Sequence, residues 1–203
     1  MKKLFLPLTL VMSLAGAAQA QLANFGLKAG ASLTGFTGAD ADGSAYKFGF
    51  NGGVMANFAF NDMLSIQPEV LYSMKGAKAT SAANSSDDHI NLGYIDVPVL
   101  VQIATGKTGL FFEAGPQIGF LASAHYKFNS LDVDYKDYTN SVDFGYAAGL
   151  GFRAASGPLI GLRYNGGFTR VGRDATIGSL RLQANETHNS AFQLYVGFLF
   201  GGK

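Results

Sequence analysis

The sequence predicts an all-β fold: an eight-stranded antiparallel up-and-down transmembrane β-barrel that follows a cleaved signal peptide. Three observations predict it. Apolar and polar residues alternate with a period of two from Asn24 to Phe200, the pattern of strands with two unlike faces. The connections between these runs are short and long in turn, as in a barrel with tight turns at one rim and loops at the other. Charged residues make up only 14% of the chain, against about 25% in ordinary soluble domains. Yet no stretch after the leader reaches the roughly 18 apolar residues that mark a membrane helix. A membrane protein of this kind must be a barrel, because only helices and closed barrels satisfy their backbone in lipid.

Residues 1–20 read as a secretory signal. Lys2 and Lys3 form its charged start, Leu4 to Leu14 its apolar stretch, and Ala18-Gln19-Ala20 its small-x-small cleavage site. The barrel domain then spans 21–203. The formal net charge is +1 and falls by two, to about −1, when Lys2 and Lys3 leave with the signal. Such a balance does not suggest nucleic acid as a partner. There is no Cys, so an exported fold of this kind rests on backbone pairing and packing instead of disulfides.

The strands follow in order. The first runs from Asn24 to Thr34, with Phe25, Leu27, Ala29, Ala31 and Leu33 on one face. The second, Tyr46 to Phe60, sets Phe48, Phe50, Val54, Ala56, Phe58 and Phe60 against Lys47, Asn51, Met55 and Asn57. The third is Met63 to Lys75, with Ser65, Gln67, Glu69 and Ser73 on its polar face. The fourth is Ile90 to Ala104 and the fifth Gly109 to Tyr126. The sixth is Val142 to Ala155, the seventh Pro158 to Val171 and the eighth Ser190 to Phe200. Asn61-Asp62, Thr105 to Thr108 and Ser156-Gly157 supply tight turns. Thr37 to Ala45, Gly76 to His89, Lys127 to Ser141 and Gly172 to Asn189 are the long polar loops.

Two irregularities are expected. In the fourth strand Ile90, Leu92 and Tyr94 share one parity and Ile95, Val97, Val99 and Val101 the other. That change of phase predicts a bulge near Tyr94 to Asp96. Pro68, Pro98 and Pro116 lie inside strands and cannot donate to the ladder, which predicts further local bulges.

Periodicity alone leaves open which face is outside; a soluble barrel puts its apolar face inward. Charge decides the matter for a membrane barrel. Lys28, Glu69, Asp96, Glu113, Arg153 and Arg163 lie within strands on the polar parity. A Lys or Arg facing mid-membrane lipid costs about 2–4 kcal/mol. Three would cost on the order of 10 kcal/mol, comparable to a whole protein's stability of roughly 5–15 kcal/mol. These six residues are therefore expected to form a structural charge network in a filled lumen, with Asn51, Gln67, Gln117 and Gln193 as further members. Inward glycines at 30, 49, 53, 115, 119, 149, 151 and 167 would make room for them. An eight-stranded barrel is just wide enough for its side chains to fill it. Phe25, Phe58, Phe60, Phe112, Phe152 and Phe200 are expected to form a belt at the turn rim, and Phe36, Tyr46, Tyr72, Tyr126, Phe144 and Phe168 one at the loop rim.

Motifs of catalysis are weak. Gly149-Leu-Gly151-Phe-Arg-Ala154 has dinucleotide-type spacing but sits inside a strand and opens no helix. Thr105-Gly-Lys-Thr108 lacks the earlier glycine of a phosphate loop and reads as a turn. Asp132, Asp134 and Asp137 do not meet the calcium-loop pattern. His89, His125 and His188 all fall near strand ends, with no nucleophile or metal-ligand spacing around them. No catalytic, cofactor-binding or metal-ligating set is expected.

Several strings together resemble the PorT-like outer-membrane β-barrel family common in Bacteroidetes. They are Leu64-Ser-Ile-Gln-Pro-Glu-Val-Leu-Tyr72-Ser-Met-Lys-Gly76, Tyr94-Ile-Asp-Val-Pro-Val-Leu100, Phe112-Glu-Ala-Gly-Pro-Gln-Ile-Gly119, Phe144-Gly-Tyr-Ala-Ala-Gly-Leu-Gly151 and Leu162-Arg-Tyr-Asn-Gly-Gly167. The resemblance covers about Leu22 to Phe200. It implies an outer-membrane barrel of about eight strands and no single activity. One departure is the tail: Gly201-Gly202-Lys203 follow Phe200, whereas such barrels usually end on an aromatic residue.

The expected function is that of a small non-enzymatic barrel of the bacterial outer membrane, structural or acting on a partner through its outer loops. Outer-membrane lipid and lipopolysaccharide, the barrel insertion machinery and an envelope protein are the expected partners. The alternatives are a soluble exported barrel holding an apolar ligand, and an outer-membrane enzyme with a rim site.

Overall fold

The computed structural model describes residues 23–79, 89–106, 109–128, 131–134, 136–177, 180–182 and 184–200. The segment read as a signal peptide and the tail 201–203 lie outside the described residues, as do 80–88 of the second long loop.

Eight long strands form the barrel: β1 Ala23–Thr37, β2 Lys47–Ala59, β3 Leu64–Lys75, β4 His89–Ala104, β5 Leu110–Phe128, β6 Val142–Arg153, β7 Pro158–Arg170 and β8 His188–Phe200. Each pairs antiparallel with its neighbours in sequence, and β1 also pairs with β8 from Phe25↔Phe200 to Thr37↔His188. That last ladder closes the cylinder and leaves no free edge. Both ends of the described chain meet at the rim that carries the tight turns. There the Asn61 side-chain oxygen accepts from the amides of Met63 (2.9 Å) and Leu64 (2.8 Å). Gly157 turns the chain into β7 at φ +109°, a conformation that residues with a Cβ avoid.

The two faces of the wall are chemically inverted relative to a soluble protein. Phe48, Phe50, Val54, Phe192, Leu194 and Val196 are exposed on the outside, Phe48 to 81%. Lys28, Asn51, Gln67, Glu69, Asp96, Glu113 and Arg163 are buried inside. The alternation read from the sequence therefore runs apolar-out and polar-in, which is the arrangement of a barrel solvated by hydrocarbon. A soluble carrier with an apolar interior does not fit it.

Three expectations are corrected. The change of phase lies in β5, not β4. Along β4 the inward parity runs without interruption through Leu92, Tyr94, Asp96, Leu100 and Gln102; the inner face simply turns from apolar to polar between Tyr94 and Asp96. Opposite, Gly93 pairs with Ser123 but Tyr94 pairs with Leu121, so Ala122 is the extra residue. Its freed carbonyl accepts from Lys136 Nζ at 2.9 Å. The prolines make gaps instead of bulges. Pairing breaks beside them and resumes in the same register, from Met55↔Glu69 to Phe58↔Ile66, from Pro68↔Val99 to Leu71↔Asp96 and from Pro98↔Gln117 to Val101↔Ala114. Losing a donor costs a ladder bond without inserting a residue. Finally, Phe36 and Tyr126 leave the loop-rim belt: both lie on lumen parity, Phe36 packed against the buried cluster of Leu92, Tyr94, Leu121, Ala124 and Val171, and Tyr126 opposite Ile90.

Of the other expected members, Tyr72 lies against the Phe50 ring and Phe144 is exposed on the outer wall, while Tyr46 and Phe168 end a continuous row that includes three rings not expected in the belt. Tyr46, Phe192, Tyr164, Tyr146 and Phe168 follow one another with ring centroids 6.3, 4.9, 6.1 and 5.2 Å apart. Tyr46 reaches Phe192 across β1 because Gly35 stands between them; a Cβ there would come 2.9 Å from the Tyr46 ring. At the turn rim Phe25, Phe60, Phe112, Phe152 and Phe200 are exposed on the outer wall, with Phe58 half-buried on the same face.

Candidate functional site

The lumen is filled in layers. Nearest the turns, Met55, Leu159, Tyr195 and Leu199 make a small apolar cluster. Beside it the Asn57 amide donates to Ser65 Oγ, Gln67 Oε1 and Gln102 Oε1 at 3.0, 3.2 and 3.1 Å.

The central layer joins six strands. Arg163 on β7 holds Glu69 on β3 with two bonds of 2.7 and 2.9 Å, and donates through Nε to Glu113 on β5 at 2.7 Å. Lys28 on β1 completes the set, 3.2 Å from Glu69. Gln67 donates to Glu69 at 2.8 Å, Gln102 to Glu113 at 3.1 Å and the Tyr195 hydroxyl to Glu113 at 2.9 Å. The Lys28 ammonium also lies 3.6 Å from the Tyr195 ring centroid, a cation–π contact. Two cations meet two anions in the buried interior, so each charge is compensated where it is buried.

The sheet register explains how partners on non-adjacent strands meet. Glu113, Gly149 and Arg163 stand side by side on β5, β6 and β7. The glycine leaves the space over which the two charged side chains join. Lys28 stands beside Gly53 and passes over β2 to Glu69 in the same way. A third row, Asp96, Gly119 and Asp143, crosses β4, β5 and β6. Here Lys75 supplies the cation, 2.9 Å from Asp96 and 3.2 Å from Asp143.

Five of the six expected charges thus lie buried in the lumen and paired. Arg153 does not join them. It is the last inward residue of β6, opposite Leu159 at the turn rim, too far along the wall to reach the centre, and its guanidinium lies 5.8 Å from the Phe111 ring centroid. Sequence reasoning passed over Lys75 and Asp143, although both share the parity of the inward residues on their strands; they stand near strand ends, where a polar side chain is easily assigned to the loop. Of the amides, Asn51 donates to Ser32 at 2.9 Å and Gln117 accepts from Asn165 at 2.5 Å. Gln193 is buried, its Oε1 without a partner among the described residues.

Beside Lys75 a cavity of about 10 Å³ is lined by Gln117, Asp143, Asn165 and Asn189, room for about one water. Above it lies an apolar layer of Leu92, Tyr94, Leu121, Ala124 and Val171, with Ile90 and Phe36 packed against it. The mouth then opens between the long loops. His125 Nδ1 lies 3.0 Å from Asp132 and Asp134 caps the amide of Lys136 at 2.9 Å, so two of the three loop carboxylates already have partners. His89, His125 and His188 sit on three different strands, and no group of three metal-type ligands gathers among the described residues.

An apolar wall around a paired ionic lumen is the construction of a lipid-solvated cylinder. Residues 18–173 match the family model described as "Outer membrane protein beta-barrel domain". The chain belongs to that family. As an outer membrane β-barrel protein it sits in the bacterial outer membrane, with its strands as the spanning elements. Among solved structures it is similar to the Neisserial surface protein A, with a TM-score of 0.56 and 16% identity over 87% of this chain and 97% of that one. It is also similar to Ail of Yersinia pestis in complex with the heparin analogue sucrose octasulfate: TM-score 0.51, 14% identity, 88% of this chain and 99% of that one. Identities this low carry the fold alone. No curated protein matches the chain in sequence.

Proposed function

We propose that this outer membrane β-barrel protein is non-enzymatic and works as a sealed wall element that presents its four long loops outside the cell. The observation that carries this reading is the lumen. Arg163, Glu69, Glu113 and Lys28 bridge the bore at its centre, and apolar clusters close it on either side. A bore crossed by mutually satisfied charges offers no continuous water path, so its contribution to the cell is mechanical and superficial. The outer face supplies the contact with lipid and lipopolysaccharide, through the aromatic row from Tyr46 to Phe168. The strand that ends at Phe200 is the segment offered to the insertion machinery, and an envelope protein would meet the loops. The likeness of the Gln-Pro-Glu and Asp-Val-Pro strings to the PorT-like family supports placing the chain in that subgroup. The Ail structure carries a polyanion analogue, but the loops here mix Asp40 and Asp42 with Lys78 and Arg173, which does not favour a polyanion.

Planar bilayer recording tests the reading. The purified barrel is expected to insert without steady ionic current, and Glu69→Ala together with Arg163→Ala to open one. Steady conductance in the unmodified protein would overturn it.

A further inference from the structure

We infer that the outer mouth is a preformed binding cup for a short apolar peptide with free ends. The cavity there measures about 360 Å³, within the range of about 300–1,000 Å³ typical of small-molecule sites. Its floor is the upper surface of the apolar layer: Phe36, Ile90, Leu92 and Val171 line it. Ile90 and Phe36 are only partly buried in the protein, so the floor offers apolar surface to a ligand. Its rim carries both signs, Asp40 and Asp42 from the first loop with Lys78 from the second and Arg173 from the fourth.

The four loops are fastened to one another. Ser44 and Ala45 pair with Ala79 and Lys78, joining the first loop to the second. The Glu186 amide donates to Asp40 at 2.7 Å, joining the fourth to the first. Thr139 pairs with Gly172, the Arg173 amide donates to the Tyr138 carbonyl at 2.9 Å, and the Asn140 side chain donates to the carbonyls of Arg170 (2.7 Å) and Gly172 (2.9 Å), joining the third to the fourth. The described parts of the loops, joined in a row this way, lose little freedom when a ligand enters, and preorganisation of that kind favours binding.

The ligand class follows from floor and rim together. An apolar floor takes aliphatic or aromatic side chains. A rim of two carboxylates and two cations suits a molecule with an ammonium at one end and a carboxylate at the other. A sugar lacks the apolar part, an aminophospholipid carries its opposite charges side by side at one end of its apolar part, and a long polyanion would meet Asp40 and Asp42. This inference goes beyond the wall role, which stands whether or not the cup is filled.

The chain contains no Trp, so a tryptophan in the ligand reports without background. The probe is the dipeptide Leu-Trp, titrated against the folded barrel in nanodiscs with indole anisotropy as readout. Saturable binding below about 1 mM is expected, weakened at least tenfold by N-acetylation or by amidation of the peptide. Ile90→Ser and Arg173→Gln, each checked for heat-modifiable gel mobility as a sign of folding, are expected to weaken it at least fivefold. No saturable signal up to about 10 mM overturns the inference, and so does equal affinity for free and end-blocked peptide. Should a variant fail to fold, the end-blocked peptides on the unmodified protein still decide.

Discussion

Glu69 is the side chain whose loss should cost the barrel most. It accepts from Arg163, Lys28 and Gln67 and is almost wholly buried. Removing it leaves Arg163 and Lys28 with Glu113 as the one anion of the central layer, a buried positive charge in excess, and breaking one side of a buried pair costs about 3–5 kcal/mol. Glu69→Ala is expected to lose that much in urea unfolding of the refolded barrel, with Glu69→Gln losing less because the amide oxygen still accepts. A change below about 1 kcal/mol would mean that the central layer adds little. On the opposite face, Leu194 is exposed near the middle of β8. Leu194→Arg is expected to cost about 2–4 kcal/mol in lipid vesicles; no cost there would mean that this face does not meet hydrocarbon. At this scale parity was a good guide. Lys28, Glu69, Asp96, Glu113 and Arg163 were legible as inward because each shares its face with polar neighbours. The partners were not legible, because Glu113 and Arg163 meet across Gly149 only through a register that links strands far apart in sequence.

Among the elements, the bulge shows where pattern reading stops. The apolar residues of β4 change parity in chemistry while the backbone keeps its phase, since Leu92 and Tyr94 face inward as part of the upper apolar layer. A sequence rule that equates apolar with outward misplaces such a layer by one strand. The extra residue, Ala122, is tied to the loop by the Lys136 ammonium. Lys136→Ala is expected to speed amide hydrogen exchange at Ser123 and Ala124 several-fold and to leave the middle of β5 unchanged. Unchanged exchange at both would show that the bulge holds without the clamp. All eight strands were visible in the alternation, with ends displaced by up to three residues, as between Thr34 and the observed end of β1 at Thr37. The short pieces in the loops, such as Ser44–Ala45 against Lys78–Ala79, were not, because two residues carry no period.

For the whole molecule, one inversion links the lines of reasoning. Eight strands close into a cylinder through the β1–β8 ladder. Closure satisfies the backbone, which permits the apolar residues to face outward and obliges the charges to face in. The same inversion crosses the bore with the paired charges of Arg163, Glu69, Glu113 and Lys28. The most direct measurement uses the lack of native cysteine. Single cysteines at Phe50, Val196 and Ser32 carry nitroxide labels in lipid vesicles, and their relaxation is compared in oxygen and in a water-soluble nickel chelate. Labels at Phe50 and Val196 are expected to be relaxed by oxygen and shielded from the chelate, and the label at Ser32 to be shielded from both. Chelate access at Phe50 and Val196 would contradict the account.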